Sequence, residues 1–287
     1  MTATPRAATR SESPRRRTRG RVREVVVAAL AMALATACAS ALHEPRPIAA
    51  LAPGRGGGRS ADELLRDGNA AWARRAAAGQ AAAAQDLYLD AASADPGRVD
   101  AVLGAMRAMA FRIEHEQGIS RGKLAEEEVE LGQWCQRRAP TTAECDYRLA
   151  IALGQQARER TSTGKDALGK IVELLRRAIA RSPDLESAGP HRVLALVLLR
   201  APSWPIGPGD PEAALEEARA AVRRFPDAPD NQLALGEALA ANGLSDPARA
   251  AYGKALALAT AARAAGDLEA ARWVAEAKAG VDKSTGP

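Results

Sequence analysis

Aromatic residues are scarce in this chain: two Phe, three Tyr and four Trp among 287 residues. Beyond the N-terminal region, runs of β-branched residues are also few, and alanine and leucine carry the apolar content. That composition favours an all-α protein over any sheet-based core. Three His and three Cys are present. They form no His-Glu-x-x-His and no Cys-x-x-Cys, and the chain has neither a Walker loop nor a nucleophile elbow. No catalytic residue, metal ligand or cofactor is therefore expected.

An excess of positive charge is missing from most of the chain, despite a formal net charge of +5. Eight arginines and two glutamates fall within residues 1–37, and what remains is close to balanced. No basic stripe is left for nucleic acid. The apolar run Val25–Leu34 is shorter than the roughly 20 residues a permanent spanning helix needs. With the basic stretch before it and the small residues after it, it reads as an export signal over residues 1–37. Leu34-Ala35-Thr36-Ala37-Cys38 resembles a bacterial lipobox, with Ala35 where Leu is usual. Two readings follow: lipidation of Cys38 as the first mature residue, or ordinary cleavage with Cys38 incidental. Lipidation predicts an exported protein anchored to a bacterial membrane and facing the periplasm. Ala39 is not the aspartate associated with inner-membrane retention, which favours the outer membrane. Residues 38–60, rich in Pro and Gly, then read as a lipidated N-terminus and flexible tether.

What the chain does have is a proline ladder. Pro96, Pro140, Pro183 and Pro226 are separated by 44, 43 and 43 residues, and five residues before each stands Ala91, Cys135, Ala178 or Ala221. A small residue late in a helix admits a close neighbour, and a proline beyond it ends the helix. Repetition of that pair predicts a helical-hairpin solenoid over residues 61–287. The expected helices span 61–78, 80–94, 97–117, 120–138, 142–160, 165–181, 187–200, 211–225, 229–242, 245–262 and 267–280. They make about five hairpins and a C-terminal capping helix.

Further on the spacing tightens, with Gly209, Ala214 and Ala221 recurring 34 residues later as Gly243, Ala248 and Ala255. Leu235, Gly236 and Leu239, then Gly243, Ala248, Tyr252 and Ala255, resemble the tetratricopeptide repeat. Earlier units are longer by about nine residues, and those extra residues are expected in the connection between the two helices.

Several side chains stand out. Cys135 and Cys145 flank Pro140 at the two ends of an expected turn. In an exported protein they are a disulfide pair contributing roughly 2–3 kcal/mol, or else two buried thiols. Trp204 and Ile206 lie in a loop with three prolines. Either Trp204 anchors a ligand or partner, or it lids the core. His191-Arg192 at a helix start suits an anion, or serves as a cap or surface contact. Glu126, Glu127, Glu128 and Glu130 read as a solvated helix face. An enzyme would need His115 or His191 brought against paired carboxylates.

The lipobox, the AAWARR opening of the first helix, the elongated early repeats and the GPHRVLALVLLRAPSWPIGPGD stretch together resemble the TatT family. These are tetratricopeptide lipoproteins associated with TRAP transporters. The resemblance implies a periplasmic T component partnering a solute-binding protein, a ring-like homo-oligomer, and a cleft for a small hydrophobic ligand near Trp204. The alternative on the same fold is a scaffold lipoprotein serving envelope or outer-membrane assembly through protein–protein contacts.

Overall fold

All four ladder prolines fall two residues past the end of a helix. The computed structural model describes residues 1–2 and 41–284, so the leader and Cys38 lie outside the described residues. Within them are twelve helices and no strand. A four-residue turn, α1 (Ile48–Leu51), precedes α2 (Ala61–Ala73), α3 (Gln80–Ala94), α4 (Val99–His115) and α5 (Arg121–Arg138). Then come α6 (Ala143–Glu159), α7 (Thr161–Arg181), α8 (Leu185–Arg200) and α9 (Pro211–Arg224). The last are α10 (Pro229–Ala241), α11 (Ser245–Ala264) and α12 (Ala270–Ser284).

The helices pair as α2–α3, α4–α5, α6–α7, α8–α9 and α10–α11, with α12 packed against α11 and α10. This is the expected all-α stack of five hairpins and a cap. The first helices also touch in sequence, α2 on α4, α4 on α6, α6 on α8, α8 on α10 and α10 on α12. They form an inner layer, backed by the second helices.

The small residues act as the ladder implied. Ala91, Cys135, Ala178 and Ala221 are all fully buried. Each also offers its carbonyl to the N–H of the residue capping its helix: Asp95, Ala139, Ser182 and Phe225 respectively. The helix is closed one residue before the proline removes a donor. Cys135 and Cys145 are joined by a disulfide, with Cα atoms 5.3 Å apart, tying the end of α5 to the start of α6.

Two tyrosines show why glycine sits where it does. The Tyr88 ring lies between Gly68 of α2 and Gly104 of α4, where an added methyl would stand 2.9 and 2.8 Å from the ring. Tyr252 is held the same way by Gly236 and Gly280. Scarce aromatics are thus placed where a bare backbone receives them.

Three expectations need correction. The extra residues of the early repeats are not all in connections. In α4–α5 and α6–α7 they lengthen the helices, with single-residue Arg160 joining α6 to α7; in α8–α9 they form the loop 201–210. The acidic run on α5 is not a solvated face. Glu128 and Glu130 are buried, while Glu126 pairs with Arg160 and Glu127 with Arg46 and Lys123.

The third concerns the expected tether, which over residues 41–59 packs on the helices. Ala41 and Ile48 are buried in the main core. Arg46 Nε donates to both Glu130 oxygens at 3.1 and 3.0 Å. The Gly54 and Arg55 N–H groups both donate to Asp90 at 3.0 Å. That segment could be seated because its backbone donors meet buried carboxylates. No helix among the described residues is long and apolar enough to cross a membrane.

Candidate binding groove

The inner layer of first helices leaves a groove of about 900 Å³. Its wall is built by a helical spacing on each of them. Arg107, Phe111 and Glu114 lie at i, i+4 and i+7 of α4, and Arg148, Ile151, Gln155 and Arg158 follow one face of α6. Val197 and Arg200 of α8 continue the wall, and Trp72 of α2 closes its other flank. Trp72 meets Phe111 edge-on with ring centroids 5.6 Å apart, and the Arg75 guanidinium lies over Trp72 at 4.6 Å. The surface therefore alternates apolar patches with arginines.

Most of those charges are already matched. Arg158 pairs with Glu114, Arg148 with Glu186 and Arg200 with Glu237. Burial opposes ionisation of Glu114, yet the Arg158 hydrogen bond and charge outweigh it and hold the pKa below the ordinary value. Burial lowers the pKa of Arg148, and nearby Arg107 pushes the same way. Beneath the groove Glu128 is fully buried, its two oxygens without a hydrogen-bond partner. Burial raises its pKa well above 4.5 against the opposing charge of Arg148.

One contact joins distant parts of the chain. His115 at the end of α4 lies 2.7 Å from Glu269, immediately before α12 and 154 residues away. Glu269 also accepts from Arg272 at 3.2 Å, and Arg272 reaches Glu276 at 3.0 Å. Of these, His115, Glu269 and Arg272 line the groove. His115 has thus been brought against one carboxylate, Glu269, where an enzyme would require a pair; Glu114 is turned to Arg158 and Gln155. Among the described residues the groove wall holds no Ser, Thr, Cys, Lys or Tyr to act as a nucleophile or proton carrier beside it. Each carboxylate is held by an arginine, so the cluster reads as a tie between helices. Among the described residues no group of three His, Cys, Asp or Glu could hold a metal ion.

The residues singled out in the sequence lie elsewhere. His191 is buried, its Nδ1 2.6 Å from Glu217, which pins α8 to α9. Arg192 donates to Asn231 at 2.8 Å and pairs with Asp230 at 3.2 Å, pinning α8 to α10. Neither lines the groove. Trp204 and Ile206 are 86% and 67% exposed, so Trp204 is no lid on the core. Their loop touches the groove only through Ala201 and Pro202.

Arg107, Arg148 and Phe111 are not singled out by the sequence as a site. The signal available was an arginine at helical spacing from an apolar residue on successive first helices: Arg107 with Phe111, Arg148 with Ile151 and Arg200 with Val197.

No family model matches the chain, and no curated protein matches it. Among solved structures it is similar to TTC0263, a thermophilic TPR protein of Thermus thermophilus. The TM-score is 0.56 and the identity 23%, covering 76% of this chain and 98% of that one. MamA protein aligns with a TM-score of 0.47 and 20% identity, over 72% and 95% of the two chains. YrrB, a TPR protein with an unusual peptide-binding site, gives 0.43 and 16%, over 68% and 84%. The first of these shows the fold: an all-α, TPR-like stack.

Proposed function

We propose that this chain is a protein-binding repeat module, held at a bacterial membrane facing the periplasm, whose inner groove receives a segment of a partner protein. A TPR-like fold supports protein–protein interaction, and the observation that carries the reading is the groove itself. Side chains from five of the six first helices line it, mixing apolar surface with arginines. Partners docked on such a surface gain apolar burial and charge-assisted hydrogen bonds together.

The finer reading is an accessory T-type component working with a TRAP solute-binding protein. It draws on the lipobox-like leader and the family resemblance set out above. A scaffold for envelope assembly uses the same groove. The test is photo-crosslinking from Ile151 and Val197 in the groove, with Lys278 on α12 as an outside control. The proposal expects a partner protein joined from the groove positions. Crosslinks from Lys278 alone would defeat it, and a solute-binding protein among the products separates the two finer readings. Cys38→Ala is expected to release the chain from the membrane fraction; retention there would refute the lipid anchor.

A further inference from the structure

Arg107 stands apart from the other arginines of the groove wall. Arg148, Arg158, Arg200 and Arg272 each have a carboxylate within ion-pair distance. Arg107 has none among the described residues, and its Nε is buried without an acceptor. Arg148 close by adds positive charge; its Nε is buried without a hydrogen-bond acceptor, but Glu144 at 3.7 Å and Glu186 neutralise that guanidinium. Glu128, the acid buried behind the wall, makes no ion pair with Arg107, and burial raises its pKa well above 4.5. A half-buried guanidinium with no neutralising anion of its own is costly unless something supplies that anion.

The surroundings say what kind of anion fits. Phe111 and Ile151 flank Arg107 along the wall with apolar surface. Gln155, on the same wall, has its Oε1 buried without a donor. The wall therefore holds unmet donors and an unmet acceptor. A peptide backbone supplies both a C=O and an N–H for every residue, whereas a simple organic acid supplies no donor. Resting on the groove reading above, we propose that the groove binds an extended peptide segment of its partner, with an Asp or Glu carboxylate seated on Arg107 and apolar side chains on either side. The guanidinium fork matches a carboxylate bidentately, which an amide isostere does not reproduce.

The test uses two pools of fluorescent dodecapeptides, with Leu, Val, Ala or Ser at the flanking positions. One pool carries Asp or Glu at the centre, the other Asn or Gln. Anisotropy titrations are made against the full chain, Arg107→Gln, and Arg66→Gln as a control that removes one exposed charge from α2. The acid pool is expected to bind about tenfold more tightly than the amide pool, the size of one charge-assisted contact. Arg107→Gln should abolish that preference and Arg66→Gln should keep it. Circular dichroism checks the fold. Should Arg107→Gln unfold, Arg107→Lys replaces it, and the preference should fall several-fold as the fork is lost.

Equal affinity for the two pools, a preference that survives loss of Arg107, or binding of neither pool overturns the proposal. Displacement of the acid pool by decanoate at equal concentration overturns the peptide assignment. Groove crosslinks to a partner would leave the wider reading standing in all of these cases.

Discussion

At Glu128 a carboxyl group is enclosed on every side, with Arg148 and Glu114 the charged groups that act on it. Because burial raises its pKa, the folded chain keeps a proton that the unfolded chain releases above about pH 4.5. The group therefore takes nothing from stability below the unfolded pKa, and stability falls as pH rises towards the folded value. Glu128→Gln removes the titration while keeping the shape. Chemical denaturation of both proteins from pH 4 to pH 8 should show the variant gaining relative to the wild type across that window, by about 1–3 kcal/mol at the top. A difference that stays flat with pH would show that Glu128 is ionised in the fold. The residue scale is also where sequence reading is weakest. Four glutamates in a row of five look like a wet surface, and nothing local reveals that position 128 turns inward while 126 and 127 meet Arg160 and Arg46.

Elements are more legible, because their ends are written locally. Asp210 accepts from the Ala213 N–H at 3.0 Å with Pro211 opening α9, as an N-cap followed by proline predicts. The ladder prolines mark the ends of α3, α5, α7 and α9 for the same reason. The extra length of the early repeats is harder to place, since helix lengthening and loop insertion give the same spacing between landmarks. The bond between Cys135 and Cys145 belongs to this scale, joining two helices across a turn that holds Pro140. Both half-cystines are buried, so the bridge also serves as packing between α5 and α6. Reduction should lower unfolding stability by roughly 2–3 kcal/mol, the loop-closure value for a span this short. Thermal melts with and without a phosphine reductant measure it. An unchanged midpoint, after a mass measurement has confirmed reduction, would contradict a structural role.

At the scale of the folded unit, sequence could not show the groove, because His115 and Glu269 meet across 154 residues. Nor could it show that residues 41–59 belong to the repeat unit, since a Pro- and Gly-rich segment carries no periodicity to read. Their seating has two consequences. Cys38 lies three residues before buried Ala41, a span of at most about 11 Å of extended chain. A lipid on Cys38 would hold the repeats close against the bilayer instead of at the end of a leash. The second consequence is energetic. Glu130 is buried, and Arg46 is the strong cation that satisfies it, with His43 3.4 Å away. The Trp134 Nε1 donates to the Arg46 carbonyl at 2.7 Å, so the arginine's backbone is fixed as well. Removing the segment takes Arg46 from Glu130 and uncovers the core against which Ala41 and Ile48 pack, which together cost about 3 kcal/mol or more. A soluble chain starting at Arg59 keeps the Ser60–Glu63 capping box of α2. It should nevertheless melt several degrees below one starting at Ala39, and Arg46→Ala in the longer chain should reproduce much of that loss. Equal melting of all three would show that residues 41–59 are a passive leash.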